Sequence, residues 1–235
     1  MPTANQRQSQ PLPLQSIGVI HTPFLQKFGI PRQPGLVAAE GRLEFLAPFN
    51  DPVAVAGLTK ASHVWLLWQF HACPEATGTD WQKTVRPPRL GGNERLGVFA
   101  TRSGFRPNRI GMSVCELLAI EADGSLLLKG VDMLDGTPII DIKPYVPYAD
   151  SIPAAKMAWA AEAPSLLVVE WSEPATAIQL EPKTKALIEA VLAQDPRPAY
   201  QQDKRDYGLE LAGYNVRFVV RDGVAKVTSL QRVDA

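Results

Sequence analysis

His63-Val64-Trp65-Leu66-Leu67-Trp68-Gln69-Phe70-His71 alternates strictly. In an extended chain successive side chains face opposite ways, so Val64, Leu66, Trp68 and Phe70 share one wholly apolar face, which belongs in a core. His63, Trp65, Leu67, Gln69 and His71 form a mixed face that can line a site or an interface. Short strand-like runs surround this stretch: Ile17–Ile20, Leu43–Leu46, Val98–Ala100, Val114–Ile120, Leu126–Val131 and Ile139–Ile142. Asp123-Gly124 separates two of them, and Asp222-Gly223 separates Val216–Val220 from Val224–Thr228. Asp-Gly between apolar runs signals a tight hairpin, because glycine tolerates the positive φ such turns require. The pattern predicts a mainly β fold: an antiparallel barrel, closed or nearly so.

Composition agrees. The 235 residues hold 24 Lys+Arg against 24 Asp+Glu, and 46% are apolar. Balanced charge excludes a generally basic nucleic-acid wrapper, and the apolar fraction excludes disorder. Twenty-one prolines, about 9% against the usual ~5%, disfavour long helices. Residues 1–13 are polar and rich in Gln and Pro, and an unordered arm is expected there. No stretch resembles a signal peptide or a spanning helix, so a cytoplasmic protein is expected. Cys73 and Cys115 lie far apart without a CxxC or a His at ligand spacing. They read as packing residues, and no metal is expected.

Ala-rich residues 149–164, with Pro153 and Pro164, read as a connection between domains. A strand (Leu166–Trp171) and a helix near 182–194 follow. Leu187, Ile188, Val191 and Leu192 share one helical face, and Asp195-Pro196-Arg197-Pro198 ends the helix. The tail, 165–235, is thus expected to be a small α+β domain.

The usual nucleotide signatures are missing: no GxGxxG, no P-loop lysine after Leu90-Gly91-Gly92-Asn93, no HExxH and no GxSxG. Any nucleotide-like cofactor needs a pocket of another kind. Lys83–Arg109 is the informative span, with seven cations (Lys83, Arg86, Arg89, Arg95, Arg102, Arg106, Arg109) and the single acid Glu94. It reads either as a solvated patch or as a surface for anions or an RNA backbone. Asp132-Met133-Leu134-Asp135-Gly136-Thr137-Pro138 sets two acids three apart at a strand end. They suit ribose hydroxyls or a cation, and equally suit capping the turn. In Asp195-Pro196-Arg197-Pro198-Ala199-Tyr200 the prolines frame Arg197, a natural partner for a carboxylate, and Tyr200, able to stack on a base. The same motif also makes a good rigid turn.

Together these stretches resemble the TsaA-like family, specifically its TrmO group of tRNA methyltransferases. The resemblance is carried by IGVI (17–20), PRQPG (31–35), SHVWLLWQFH (62–71), VRPPRLGGNERLGVFATRS (85–103), FRPNRIGMS (105–113) and DMLDGTPIIDIKPYVPYAD (132–150). DPRPAY (195–200) and YNVRF (214–218) extend it into the tail. It implies a non-Rossmann β-barrel over 14–150 that binds S-adenosylmethionine, a tRNA-contacting domain over 165–235, and a homodimer. The implied reaction is methylation of the N6 nitrogen of threonylcarbamoyladenosine beside the tRNA anticodon, at position 37. By match, Pro31, Arg32, Gln33, His71, Arg102, Asp132, Met133, Leu134 and Asp135 form the cofactor pocket. Arg86, Arg89, Arg95, Arg106, Asn108, Arg109, Arg197 and Tyr200 are the tRNA-facing candidates. The chemistry is consistent: the two aspartates can accept ribose hydroxyls, and Arg102 can meet the methionine carboxylate.

Direct transfer needs two aligned reactants and no covalent enzyme intermediate. It still needs a proton acceptor, for which His71, Asp135 and Tyr200 are unranked candidates. Two rivals are defined: a noncatalytic RNA-binding barrel without cofactor affinity, and a small-molecule methyltransferase without tRNA affinity.

Overall fold

The computed structural model describes residues 13–73, 81–87, 94–176, 178–197 and 205–233. Residues 1–12, Arg89, the Gly-rich 90–93 and Tyr200 lie outside them. The alternating stretch forms strand β3 (His63–Gln69), preceded by β1 (Gly18–His21) and β2 (Glu40–Phe45). After it come a short ribbon, β4 (Thr84–Val85) with β5 (Leu96–Gly97), and then β6 (Ile110–Ile120), β7 (Leu126–Lys129) and β8 (Thr137–Pro144). Strands β1-β2-β7-β6-β3-β8 close a barrel, every pairing antiparallel. Val64, Leu66 and Trp68 are buried in it, as their alternation requires, with Ile20, Leu43, Leu126, Leu128 and Ile139 around them. Closure removes the exposed strand edges that an open sheet would leave.

The turn at Asp123-Gly124 joins β6 to β7, with Gly124 at φ +84°. Val98–Ala100, expected as a strand, is instead a single 3₁₀ turn. Of its three residues only Val98 is buried, so a strand there would have no face to pack. The Thr101 hydroxyl and amide both donate to the Val98 carbonyl and close the turn.

The tail begins at β9 (Val168–Trp171), passes through α1 (Glu173–Thr176) and α2 (Pro182–Ala193), and ends in β10 (Tyr207–Leu211), β11 (Tyr214–Arg221) and β12 (Val224–Arg232). Its sheet runs β10-β11-β12-β9, with β9 parallel to β12. Helix α2 buries Ile188, Val191 and Leu192, and Asp222 (φ +49°) with Gly223 (φ +79°) forms the expected hairpin. Strand β10 has no counterpart in the sequence reading. It alternates, with Tyr207, Leu209 and Leu211 buried, but over only five residues, and its turn is Ala212-Gly213, without the Asp-Gly signal.

The β1–β2 connection (22–39) wedges between barrel and tail. Phe28 stacks on Tyr207 and Phe218 at 6.3 and 6.4 Å, and buried Phe24, Val37 and Ala39 join both sides into one apolar core. Gln194 Nε2 donates to the Leu36 carbonyl (3.3 Å) and Lys183 pairs with Glu40 (2.5 Å). Among the described residues no helix is long and apolar enough to cross a membrane.

Candidate functional site

A cavity of about 470 Å³ opens where β3 and β6 meet the wedge. Four separate connections supply its walls. Pro31, Arg32 and Gln33 come from the β1–β2 connection and His71 from just beyond β3; Arg102 follows the 3₁₀ turn, and Asp132, Met133 and Leu134 lie between β7 and β8. Trp68 and Phe70, read from sequence as core, also line it, because the apolar face of β3 runs out of the barrel interior into the cavity. Asp135 is not among the lining residues. Its Oδ1 accepts the Thr22 amide (2.8 Å), while its own amide and that of Gly136 donate to the carbonyls of Phe24 and Ile20. It clamps the turn to the end of β1. Met133 is only 1% exposed, and the Thr22 hydroxyl donates to its carbonyl at 3.0 Å.

Asp132 holds the polar end of the cavity. Trp68 Nε1 donates to Ser113 Oγ (3.0 Å), which donates to Asp132 Oδ1 (2.6 Å). Burial pushes the Asp132 carboxyl up to about 6, against the lowering effects of the Ser113 hydrogen bond and the Arg102 charge. A carboxyl so placed is anionic at neutral pH, and an anionic carboxylate lining a cavity is a receptor for hydroxyl or ammonium donors. Trp68 is seated by Gly111, its neighbour on β6: a Cβ there would come within 2.3 Å of the indole. Arg102 donates to Gln33 Oε1 (2.5 Å), which orients both side chains on the cavity wall. Thr137 Oγ1 donates to the Leu134 carbonyl (2.6 Å) and lies 3.4 Å from His71 Nδ1. With its proton given to that carbonyl, the hydroxyl can only accept from His71. A neutral ring that donates from Nδ1 to this hydroxyl would keep its lone pair on Nε2.

A larger groove of about 1,830 Å³ shares Arg32, Gln33, Thr101 and Arg102 with the cavity. Of the tRNA-facing candidates, Arg86 and Arg95 line it. Arg106 lines the cavity instead, with Nη1 donating to the carbonyls of Thr101 (2.7 Å) and Val98 (3.3 Å). Arg109, at φ +50°, donates to the Cys73 carbonyl, and exposed Asn108 lines neither space. The Arg197 side chain is 14% exposed and pairs bidentately with Asp195 at 2.8 and 2.9 Å. Its carbonyl and that of Asp195 accept Arg32 Nη2, tying this stretch to the cavity wall.

Sequence reasoning missed Trp81, Phe105, Lys156 and Trp159 of the groove, and it placed Phe99 in a strand. An aromatic set among the arginines of 81–106 was the available signal. Among the described residues no three His, Cys, Asp or Glu gather as metal ligands. Burial pushes the Cys115 thiol up to about 12, so it packs as an inert apolar group.

Two family profiles cover this architecture: the tRNA-methyltransferase O N-terminal domain over residues 19–151 and the TrmO C-terminal domain over 164–233. The chain is 45% identical to the Escherichia coli K12 tRNA (adenine(37)-N6)-methyltransferase, over 92% of this chain and 97% of that one. It is 50% identical to a putative S-adenosylmethionine-dependent methyltransferase, RcsF, of Pseudomonas aeruginosa, over 86% and 90% of the two chains. The crystal structure of TrmO from Pseudomonas aeruginosa superposes with a TM-score of 0.77 at 40% identity, covering 94% of this chain and 99% of that one.

Proposed function

The chain belongs to the tRNA-methyltransferase O family, and from that premise we propose that it methylates N6 of threonylcarbamoyladenosine at tRNA position 37. Its class is S-adenosylmethionine-dependent tRNA (adenine37-N6)-methyltransferase. The observation carrying the reading is the convergence of Pro31, Arg32, Gln33, His71, Arg102 and Asp132 on one cavity that opens into a cation-lined groove.

The residues present fit the cofactor. Asp132 would accept hydroxyl or amino donors, Arg102 would pair with the carboxylate, and Trp68, Phe70 and Ile110 give the apolar wall a purine needs. Bound S-adenosylmethionine supplies an electrophilic methyl on a positively charged sulfur. The residues of the chain align the substrate nitrogen with it and exclude water, which removes the need for a nucleophile on the enzyme. Of the three proton-acceptor candidates, His71 is favoured: it lines the cavity, and Nε2 has no partner among the described residues. In the transfer the methyl would leave its sulfur for N6, and His71 Nε2 would accept the N6 proton. Asp135 is engaged in its clamp, and Tyr200 lies outside the described residues.

The proposed substrate brings a threonyl carboxylate into a groove whose described lining holds no Asp or Glu, which supports the finer assignment. The family reading adds a cytoplasmic homodimer, for which the exposed Tyr148, Ile152 and Leu166 offer apolar surface; sedimentation should give twice the chain mass. The test of function is calorimetry with S-adenosylmethionine, followed by methyl transfer to tRNA with and without the threonylcarbamoyl group. Cofactor binding and transfer confined to the modified tRNA support the reading. Absence of cofactor heat even with tRNA present contradicts it.

A further inference from the structure

Phe99 is a large apolar ring left 68% exposed at the centre of the 3₁₀ turn. Folding gains little from a ring in water, yet this one is held firmly. Val98 beside it is buried, and Arg106 ties the carbonyls of Val98 and Thr101 together while its guanidinium carbon sits 5.6 Å from the Phe99 centroid. Trp81 backs the ring at 5.3 Å, tilted by 36°. Both rings line the groove, where Lys83, Arg86, Arg95 and Lys156 join Arg32 and Arg102 without one carboxylate among the described lining residues. Six cations suit a polyanion, and flat aromatic faces among them suit unpaired bases, since any base can stack on a ring. The groove runs into the cofactor cavity across Thr101, two residues from Phe99.

We infer that Phe99, backed by Trp81, is the platform on which an unpaired base of the tRNA anticodon loop stacks, positioning the target adenine at the cavity. The inference rests on the function proposed above. It assigns to Phe99 a positioning role: the ring holds the loop, and the residues of the cavity perform the transfer.

The test uses an anticodon stem-loop carrying 2-aminopurine beside the target adenine, whose fluorescence is quenched by stacking. It is bound to the native chain and to the Phe99→Tyr and Phe99→Leu variants. Leucine keeps the apolar character of the turn if Phe99→Ala fails to fold. The native chain and Phe99→Tyr should quench the probe. Phe99→Leu should not, and its KM for tRNA should rise on the order of tenfold to a hundredfold with cofactor affinity unchanged. Equal quenching and equal KM in Phe99→Leu and the native chain overturn the platform. A native chain that quenches the probe but transfers no methyl overturns the functional reading and leaves the platform standing.

Discussion

Asp132 and Asp135 stand three apart in one turn and act differently. Asp135 is engaged by the Thr22 amide, whereas Asp132 lines the cavity with a carboxyl raised to about 6. The sign follows from burial: the folded chain holds the Asp132 proton more tightly than the unfolded chain does. Stability is therefore lost as pH rises from the ordinary carboxyl range through about 6, and is constant above it. Asp132→Asn should raise Tm at about pH 8 by the equivalent of about 1–2 kcal/mol and should abolish cofactor binding. In the native chain, cofactor affinity by calorimetry should fall as pH drops below about 6, where the anion is lost. A pH-independent affinity removes Asp132 from the binding set. Arg197 is the complementary case. With its guanidinium on Asp195 and its carbonyl on Arg32, it acts as a frame. Arg197→Ala should lower stability by about 1–2 kcal/mol in chemical denaturation and weaken cofactor binding in parallel. Full stability with transfer lost only on threonylcarbamoyl-tRNA would return Arg197 to direct recognition of the carboxylate.

At the scale of elements, β3 and β6 pair over seven residues, and the tightest fit at the cavity is Trp68 across Gly111. Gly111→Ala would drive its methyl into the indole and break the chain from Trp68 through Ser113 to Asp132. A loss of about 1–3 kcal/mol is expected, with a shifted tryptophan emission spectrum and weaker cofactor binding. Unchanged emission and affinity would show that the indole is not what seats Asp132. Strand β3 was legible in the sequence because alternation reports a half-buried strand directly, and the Asp-Gly hairpins were legible because positive φ has a residue signature. Strand β10 was not, since its alternation covers only five residues and its turn, Ala212-Gly213, lacks the Asp-Gly signature. Val98–Ala100 has strand-like composition and a local hydrogen-bonded turn that overrides it. Residue types in the cavity motifs were legible through the family resemblance. Which aspartate faces the cavity and which clamps the turn was not, because spacing alone gives both the same role.

For the whole molecule, charge distribution matters more than net charge. A chain with 24 cations and 24 acids gathers Lys83, Arg86, Arg95 and Lys156 along one groove. Apparent tRNA affinity should fall steeply with salt, and Arg86→Gln should reduce the slope by about one ion; a salt-independent affinity makes the groove a solvated patch. The wedge of residues 22–39 gives the tail a part in the same site, since it packs Phe28 on the tail sheet and carries Arg32 and Gln33 into the cavity. Groove, cavity and tail thus meet at Arg32, and nucleoside mass analysis of tRNA from cells with and without the gene tests the proposed reaction most directly. Methylated threonylcarbamoyladenosine should disappear in the deletion, leaving the unmethylated form, and return when the gene is restored. Unchanged methylation in the deletion, with no second enzyme supplying it, would show that this chain does not carry out the reaction.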